Sequence, residues 1–559
     1  MALRFAQMAD EAYRFPLTIK HLLDNAVATS AGREIVYRDQ VRYDYSRFRE
    51  RIGRLAALLA SVGACEGTTV AVMDWDSHRY LEAYFAVPMM GAVLFTVNVR
   101  LTAAQIAYTL QHSNTEVLLV HRDFLPMVES LLDQLPAIRA VIAIADGVEM
   151  ADPDFARGEY EQLLAAAPDG FEFRDFDENA LATTFYTTGT TGNPKGVCFS
   201  HRQIVLHTLA AKAPFGVTRG GGLGHGDTYM PLTPMFHVHA WGMPYIATLL
   251  GLKQVYPGRY EPRLILDLKL REGVTYSHCV PTVVRMILDA AVQRESDLSG
   301  WTLKIGGSAL TVELCTEASK QGMVLISGYG MSETAPIIGM ARWRKPDENE
   351  DDRIASMVVS GVPVPLVSAR IVDSQMNVLP TDGTAQGELV LRAPWLTPCY
   401  VGDEAASDTL WRGGWMHTQD VATIDPDGTI IIRDRLKDVI KTGGEWLSSL
   451  DLEKIIARAD GVGEVAVVGI PHDRWVERPI AIVTRKYPGS PTLESVNACL
   501  SAAIAAGEAS RFALLDRLQI VDALPRTSVG KIDKKKLREI FLRDGSFRDS
   551  SSSQSGGAN

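Results

Sequence analysis

The sequence predicts an α/β protein of at least two domains: a large N-terminal domain on mostly parallel sheets, then a small α+β domain. Three observations carry this. The 559 residues exceed what a single hydrophobic core serves. From about Glu34 to Val372, short β-branched runs alternate with longer amphipathic segments, the texture of βαβ units. The texture changes at Ser368 to closely spaced alternating strands, and again after Arg435.

In chain order, the first strands are TTVAVMDW (68–75), AVLFTVNV (92–99), EVLLVH (116–121) and AVIAIA (140–145), followed by KQVYPG (253–258) and TLKIGGSAL (302–310). The uncharged run between Glu82 and Arg100 contains Pro88, Gly91 and Asn98. It falls short of the ~20 apolar residues that span a bilayer, so it reads as a helix end, a turn and a buried strand. SARIVDS (368–374), GELVLRA (387–393) and ATIDPDGTIIIRD (422–434) read as antiparallel strands with turns such as Pro426-Asp427-Gly428. Beyond Arg435, VGEVAVVGIP (462–471) and RPIAIVTRK (478–486) read as strands, 493–506 as a helix and 534–543 as a basic helix. The expected domains are 1–434 and 435–545, and 546–559 reads as a disordered low-complexity tail.

The net charge of −11 argues against nucleic acid as a partner, because phosphate-backbone binding needs a clustered positive field. The six cysteines lie far apart with no CxxC or Cys/His cluster, which fits reduced thiols in a cytoplasmic protein better than disulfides or zinc. The N-terminal MALRFAQMADEAYRF lacks the apolar centre of a signal peptide.

The stretch YTTGTTGNPKGVCFSH (186–201) carries the strongest chemical signal. It fails the P-loop template, since Gly189 and Gly192 are too close and Lys195 precedes a glycine. Its chemistry still suits phosphate: glycines admit backbone N–H groups, threonines add hydroxyls and lysine adds charge. A flexible surface loop is the alternative. Against it, apolar segments (ALATTFY, GVCFS) flank the loop on both sides. By residue chemistry alone, GYGMSETAP (328–336) is a glycine-rich turn before a helix, and GGSAL (306–310) only a turn. His237 and His239 at i and i+2 lack a third metal ligand nearby. The cluster Lys534, Lys535 and Lys536 reads as solvated, and GGGLGHG (220–226) as a mobile surface loop.

TTGTTGNPKG resembles the phosphate loop of the adenylate-forming enzymes, which include acyl-CoA synthetases, luciferases and peptide-synthetase adenylation domains. The other motifs of that superfamily follow in order over roughly residues 30 to 543. The resemblance implies a large domain of two parallel-type sheets with a β-barrel-like antiparallel subdomain, and a small C-terminal domain on a hinge. It implies ATP, Mg²⁺ and coenzyme A, with ATP phosphates held by Thr187, Thr188, Gly189, Thr190, Thr191, Gly192 and Lys195. Thr187 and Glu333 would hold the metal.

GYGMSETAP implies that Ser327, Gly328, Tyr329, Gly330 and Ser332 line the nucleotide, with Tyr329 on adenine and Ser332 in place of the family's usual threonine. Gly307 and Ser308 would line the adenine pocket. WMHTQD (415–420) offers Asp420 to the ribose hydroxyls, although Gln419 stands where the family usually has glycine. RDRLKDVIKTGGEW (433–446) would place Arg435 on ribose, Lys437 at the pivot, and Lys441 and Trp446 near the nucleotide. PRTSVGKIDKKKL (525–537) would carry the catalytic Lys531. PMFHVHAWGMPY (234–245) would line the acyl pocket, with His237 beside the acyl carboxylate, Val238 reaching the nucleotide through its backbone and Trp241 as a gate.

The implied activity is ATP-dependent acyl-CoA synthesis through acyl-AMP, without covalent nucleophile. The pocket segment has no obvious cation for a second carboxylate, which favours a medium- to long-chain fatty acid over an aromatic or alicyclic one. Transfer to a carrier protein or amine, and a degenerate nucleotide-binding relative, are the alternatives. The fatty-acid branch implies a homodimer.

Overall fold

The computed structural model describes residues 3–187, 193–216, 222–342, 349–442, 445–472, 474–486, 489–526 and 532–543. The chain divides into two compact units, one of Met1–Ser368 with Arg392–Leu410, the other of Ala369–Leu391 with Trp411–Asn559.

The first unit is built on two sheets. The six-stranded sheet runs, edge to edge, Ala140–Ile144, Thr115–His121, Thr69–Met73, Val93–Thr96, Leu181–Thr187 and Lys195–Ser200. All its pairings are parallel except the last. Thr69–Met73 and Ala140–Ile144 are buried at every position, as expected of parallel strands covered on both faces. The nine-stranded sheet has a parallel centre and antiparallel edges: Glu34–Tyr37 pairs Val41–Asp44 at one end, and Val324–Gly330 pairs Ile337–Met340 at the other. Its core packs Leu303, Ile305, Cys279, Val284, Ile287 and Trp301 together.

Helix starts follow from local side chains. Asp44 caps Tyr45–Ser61 and Ser77 caps His78–Met89, each accepting a backbone N–H that no helical carbonyl can reach. Ser200 and Gln203 form a reciprocal capping box that starts His201–Lys212 directly after the strand leaving the threonine loop. The run 83–99 is, as read, a buried helix end at Met89, a turn, and the buried strand Val93–Thr96.

The second unit holds an antiparallel four-stranded sheet (Ser368–Val372, Gly387–Arg392, Met416–Ile424, Ile430–Arg435) and a five-stranded sheet built on the long hairpin Val462–His472 with Val476–Arg485. That hairpin buries one face against Leu452, Ile456, Val496 and Leu500, and the other against Leu524 and Leu537. The two expected helices are Leu493–Ala505 and Lys534–Arg543, within one residue of expectation, and a further helix, Ser449–Ile456, precedes the hairpin. Among the described residues no helix is long and apolar enough to cross a membrane.

Candidate active site

The threonine loop leaves Leu181–Thr187 and returns as Lys195–Ser200, so Thr187 and Lys195 face each other in register across its base. Thr188, Gly189, Thr190, Thr191 and Gly192 lie outside the described residues. Lys195 Nζ stands 4.7 Å over the Tyr400 ring and 3.7 Å from Asp403. Tyr400 in turn donates its hydroxyl to Glu333 Oε1 at 2.6 Å, so one tyrosine links the lysine of the loop to the expected metal ligand.

The segment around Tyr400 is stitched on both sides. Val401 N donates to Gly196 O at 2.8 Å, and Thr397 N donates to Glu333 O at 2.9 Å. Thr397 Oγ1 also donates to Cys198 O at 3.1 Å. These bonds tie Glu333 to the strand that carries Lys195 and fix its place relative to that lysine. Glu333 is buried, inside a short 3₁₀ turn, Ser332–Thr334, rather than a full helix. Its carboxylate and the Thr187 hydroxyl are hard oxygen donors of the type magnesium takes.

Ser327, Gly328, Tyr329 and Gly330 end the strand Val324–Gly330, paired antiparallel to Ile337–Met340. A Cβ at Gly330 would fall 1.7 Å from Pro336 O, so only glycine lets the two backbones meet there. Ser332 is half-buried beside Glu333, and Gly307 and Ser308 are exposed just beyond Thr302–Ile305.

Residues 234–237 are held by three buried side chains. Asp76 accepts from Met235 N at 2.8 Å, Thr96 Oγ1 donates to Phe236 O at 3.1 Å, and the Tyr84 hydroxyl donates to Met235 O. Burial pushes the Asp76 carboxyl up to about 7. His237 follows, half-buried.

Val238, His239, Ala240 and Trp241 then all take positive φ, at 50°, 52°, 46° and 59°, before Gly242 at 73°. A left-handed turn costs non-glycine residues roughly 1–2 kcal/mol each, so strong packing must hold it. His239 supplies part: fully buried, it meets Phe185 edge-on at 4.9 Å and Tyr84 at 6.0 Å. Both its ring nitrogens lack a hydrogen-bond partner among the described residues, and burial lowers its pKa to about 3, so it is a neutral packing residue. Trp241 is buried with its ring 5.1 Å from that of His278.

In the second unit, Asp420 and Arg435 are cross-strand partners, and Arg435 Nε lies 2.6 Å from the buried Asp420 Oδ1. Gln419 has φ of 60°, the conformation that favours glycine. Its backbone N and side-chain Nε2 both donate to Glu388 Oε1 at 3.2 Å, which offsets that cost. Lys437 is exposed in a turn closed by Asp438 N and Val439 N bonding Arg435 O, at 2.8 and 2.9 Å. Lys441 stands 5.7 Å over Trp446, its partner across the hairpin.

Lys531 lies outside the described residues. Lys534, read as solvated, is instead half-buried and paired: its Nζ bonds Glu453 Oε1 and Ser449 Oγ, each at 2.6 Å, and so anchors the helix that begins there. The expected mobile loop 220–226 is described from 222 onward. That end is anchored by a buried Leu223 and by Gly224 N donating to Asp227 Oδ2 at 2.7 Å.

Two residues were missed by the sequence reading. Tyr400 sits in an irregular segment with no periodicity to mark it. Lys304 sits in a strand whose apolar pattern hid it: the lysine is 2% exposed and burial lowers its pKa to about 7.

Residues 23–401 match the AMP-binding enzyme family, and residues 451–531 match the AMP-binding enzyme C-terminal domain. A long-chain-fatty-acid–CoA ligase of Thermus thermophilus is 38% identical, over 94% of this chain and 96% of its own. A medium-chain-fatty-acid–CoA ligase of Ectopseudomonas oleovorans is 34% identical, over 96% and 99%. The solved anthranilate CoA ligase AuaEII, in complex with anthranoyl-AMP, superposes with a TM-score of 0.81 at 22% identity, over 94% of this chain and 98% of its own.

Proposed function

The chain belongs to the AMP-binding enzyme family, and from its likeness to long- and medium-chain fatty-acid CoA ligases we propose that its acyl substrate is a medium- to long-chain fatty acid. The enzyme is an acid–thiol ligase that works through an acyl adenylate. The carboxylate oxygen attacks the α-phosphorus of ATP and pyrophosphate leaves. The CoA thiolate then attacks the acyl carbonyl, the mixed anhydride opens and AMP leaves. A carboxylate is a poor electrophile until its oxygen becomes part of a good leaving group, which is why ATP is spent first.

The observation that carries the site assignment is the Lys195–Tyr400–Glu333 link. In this reading Thr187–Lys195 grip the phosphates, and Thr187 and Glu333 hold magnesium, which would neutralise phosphate charge. Tyr329, Gly307 and Ser308 border adenine, Asp420 and Arg435 take the ribose, and His237 orients the acid. Lys531 supplies positive charge to the first transition state, and Lys437 is the pivot that withdraws it before the second. We assign CoA, rather than a carrier protein or amine, as acceptor, and a cytoplasmic homodimer as the working form.

A panel from acetate to palmitate, with benzoate and cyclohexanecarboxylate, tests the substrate class by pyrophosphate release and by thioester formation. Each buried methylene adds about 0.8 kcal/mol, so kcat/KM should climb about fourfold per CH₂ up to a plateau between eight and sixteen carbons. A maximum at benzoate, or acyl-AMP that CoA leaves unconverted, would contradict it.

A further inference from the structure

The strand Lys195–Ser200 has a second neighbour besides Leu181–Thr187: Val197 pairs antiparallel with Tyr400 in an isolated bridge. Val401 N, donating to Gly196 O at 2.8 Å, carries that pairing one step in one direction. One step in the other, the register sets Cys198 against Cys399. The Thr397 hydroxyl lies between them, 3.1 Å from Cys198 O and 2.9 Å from Cys399 O. Directly opposed residues of an antiparallel pair hold their Cα atoms about 4.5–5.5 Å apart, with both side chains on one face. A disulfide spans about 4.4–6.8 Å between Cα atoms, so this pair can be bridged without refolding.

Both cysteines are free thiols, Cys198 9% exposed and Cys399 half-buried. Burial first, and Cys399 second, push the Cys198 thiol up to about 12. At neutral pH it stays protonated, so the first oxidation falls to the more accessible Cys399. The neighbours give that chemistry a consequence. Tyr400, whose hydroxyl donates to Glu333 Oε1 at 2.6 Å, directly follows Cys399.

We propose that Cys198 and Cys399 form a peroxide-sensitive modification site, whose closure into a disulfide detaches Tyr400 from Glu333 and so weakens magnesium binding. The magnesium half rests on the reading of Glu333 as a metal ligand. The Cys399 thiolate attacks one oxygen of hydrogen peroxide, hydroxide leaves, and Cys399 becomes a sulfenic acid. The Cys198 sulfur then attacks the Cys399 sulfur, and its proton leaves with the displaced hydroxide as water. Two thiols and one peroxide thus give one disulfide and two waters. Closure draws the Cβ atoms from the about 4.5–5.5 Å of a cross-strand pair to about 3.8 Å. Passed on to Tyr400, a shift of about 1 Å is more than its hydrogen bond to Glu333 can absorb.

The full-length enzyme is treated with a small excess of hydrogen peroxide, quenched with catalase and alkylated. Peptide mapping should find the Cys198 and Cys399 peptides joined, and dithiothreitol should separate them. Magnesium titrations of pyrophosphate release should show an apparent affinity about 10–100-fold weaker than in the reduced enzyme, restored by dithiothreitol. Cys399→Ala, and the double variant Cys198→Ala/Cys399→Ala, should match the reduced parent before and after peroxide.

Both thiols found alkylated after peroxide, or a disulfide that leaves the magnesium titration unchanged, overturns the inference. So does a peroxide-induced loss that persists in both variants. Absence of pyrophosphate from the untreated enzyme removes the ligase reading and the magnesium half with it. The disulfide, mapped without turnover, then stands or falls by itself.

Discussion

Lys531→Ala is expected to slow adenylation by about 10²–10³-fold, or more, while synthetic acyl-AMP and CoA still give thioester at a near-parental rate. The asymmetry follows from charge. In the first step the carboxylate oxygen and the α-phosphate oxygens crowd negative charge into one place, and in the proposed role the Lys531 ammonium helps to offset it. In the second step, by the proposed pivot at Lys437, the same ammonium is withdrawn and contributes little. Lys534 begins an anchored helix three positions further along, held by Glu453 and Ser449, so the alanine variant should keep its fold. Equal loss of both half-reactions, measured separately by quenched flow, would contradict the role assigned to Lys531.

Glu333→Gln should lower pyrophosphate release by about 10²–10³-fold at saturating ATP. Glutamine keeps the size and can still accept from Tyr400, but it lacks the charge that a divalent cation needs. Tyr400→Phe separates holding from ligating. Its hydroxyl, 2.6 Å from Glu333 Oε1, orients the carboxylate that in the proposed reading would hold magnesium, so its loss should weaken apparent magnesium affinity by about 10–100-fold. Excess magnesium should rescue the tyrosine variant and leave the glutamine variant inactive. Identical magnesium titrations for both variants and the parent would contradict the assignment.

The parallel strands were legible because short apolar runs rich in β-branched residues leave few alternatives, and Ala140–Ile144 lies where AVIAIA was read. The antiparallel segment was legible from alternation and from the Asp425–Gly428 turn, whose Gly428 N bonds Asp425 O at 2.9 Å. Other features had no such signal. The left-handed turn over Val238–Trp241 contains no glycine, and its conformation is imposed by packing around His239. Gln419 takes a conformation that favours glycine, held by Glu388, far away in sequence, which receives its two N–H groups.

Lys304 was read past for a physical reason. A lysine at alternating spacing in a strand normally marks the solvent face, whereas this strand belongs to a sheet covered on both sides. Lys534 misled in the same way, since three consecutive lysines suggest water and only the partner Glu453 reveals the anchor. Roles such as those of Asp420 and Lys531 came from resemblance to the adenylate-forming enzymes, as no periodicity or charge pattern distinguishes them from ordinary surface residues.

The claim beneath all of this is that the acid's own oxygen becomes bonded to the α-phosphorus of ATP. It is tested most directly by feeding the enzyme a fatty acid carrying ¹⁸O in both carboxylate oxygens, with ATP and CoA, and weighing the nucleotide product. The account predicts AMP with one ¹⁸O, two mass units heavy. Unlabelled AMP, or ADP accompanied by labelled phosphate, would contradict it.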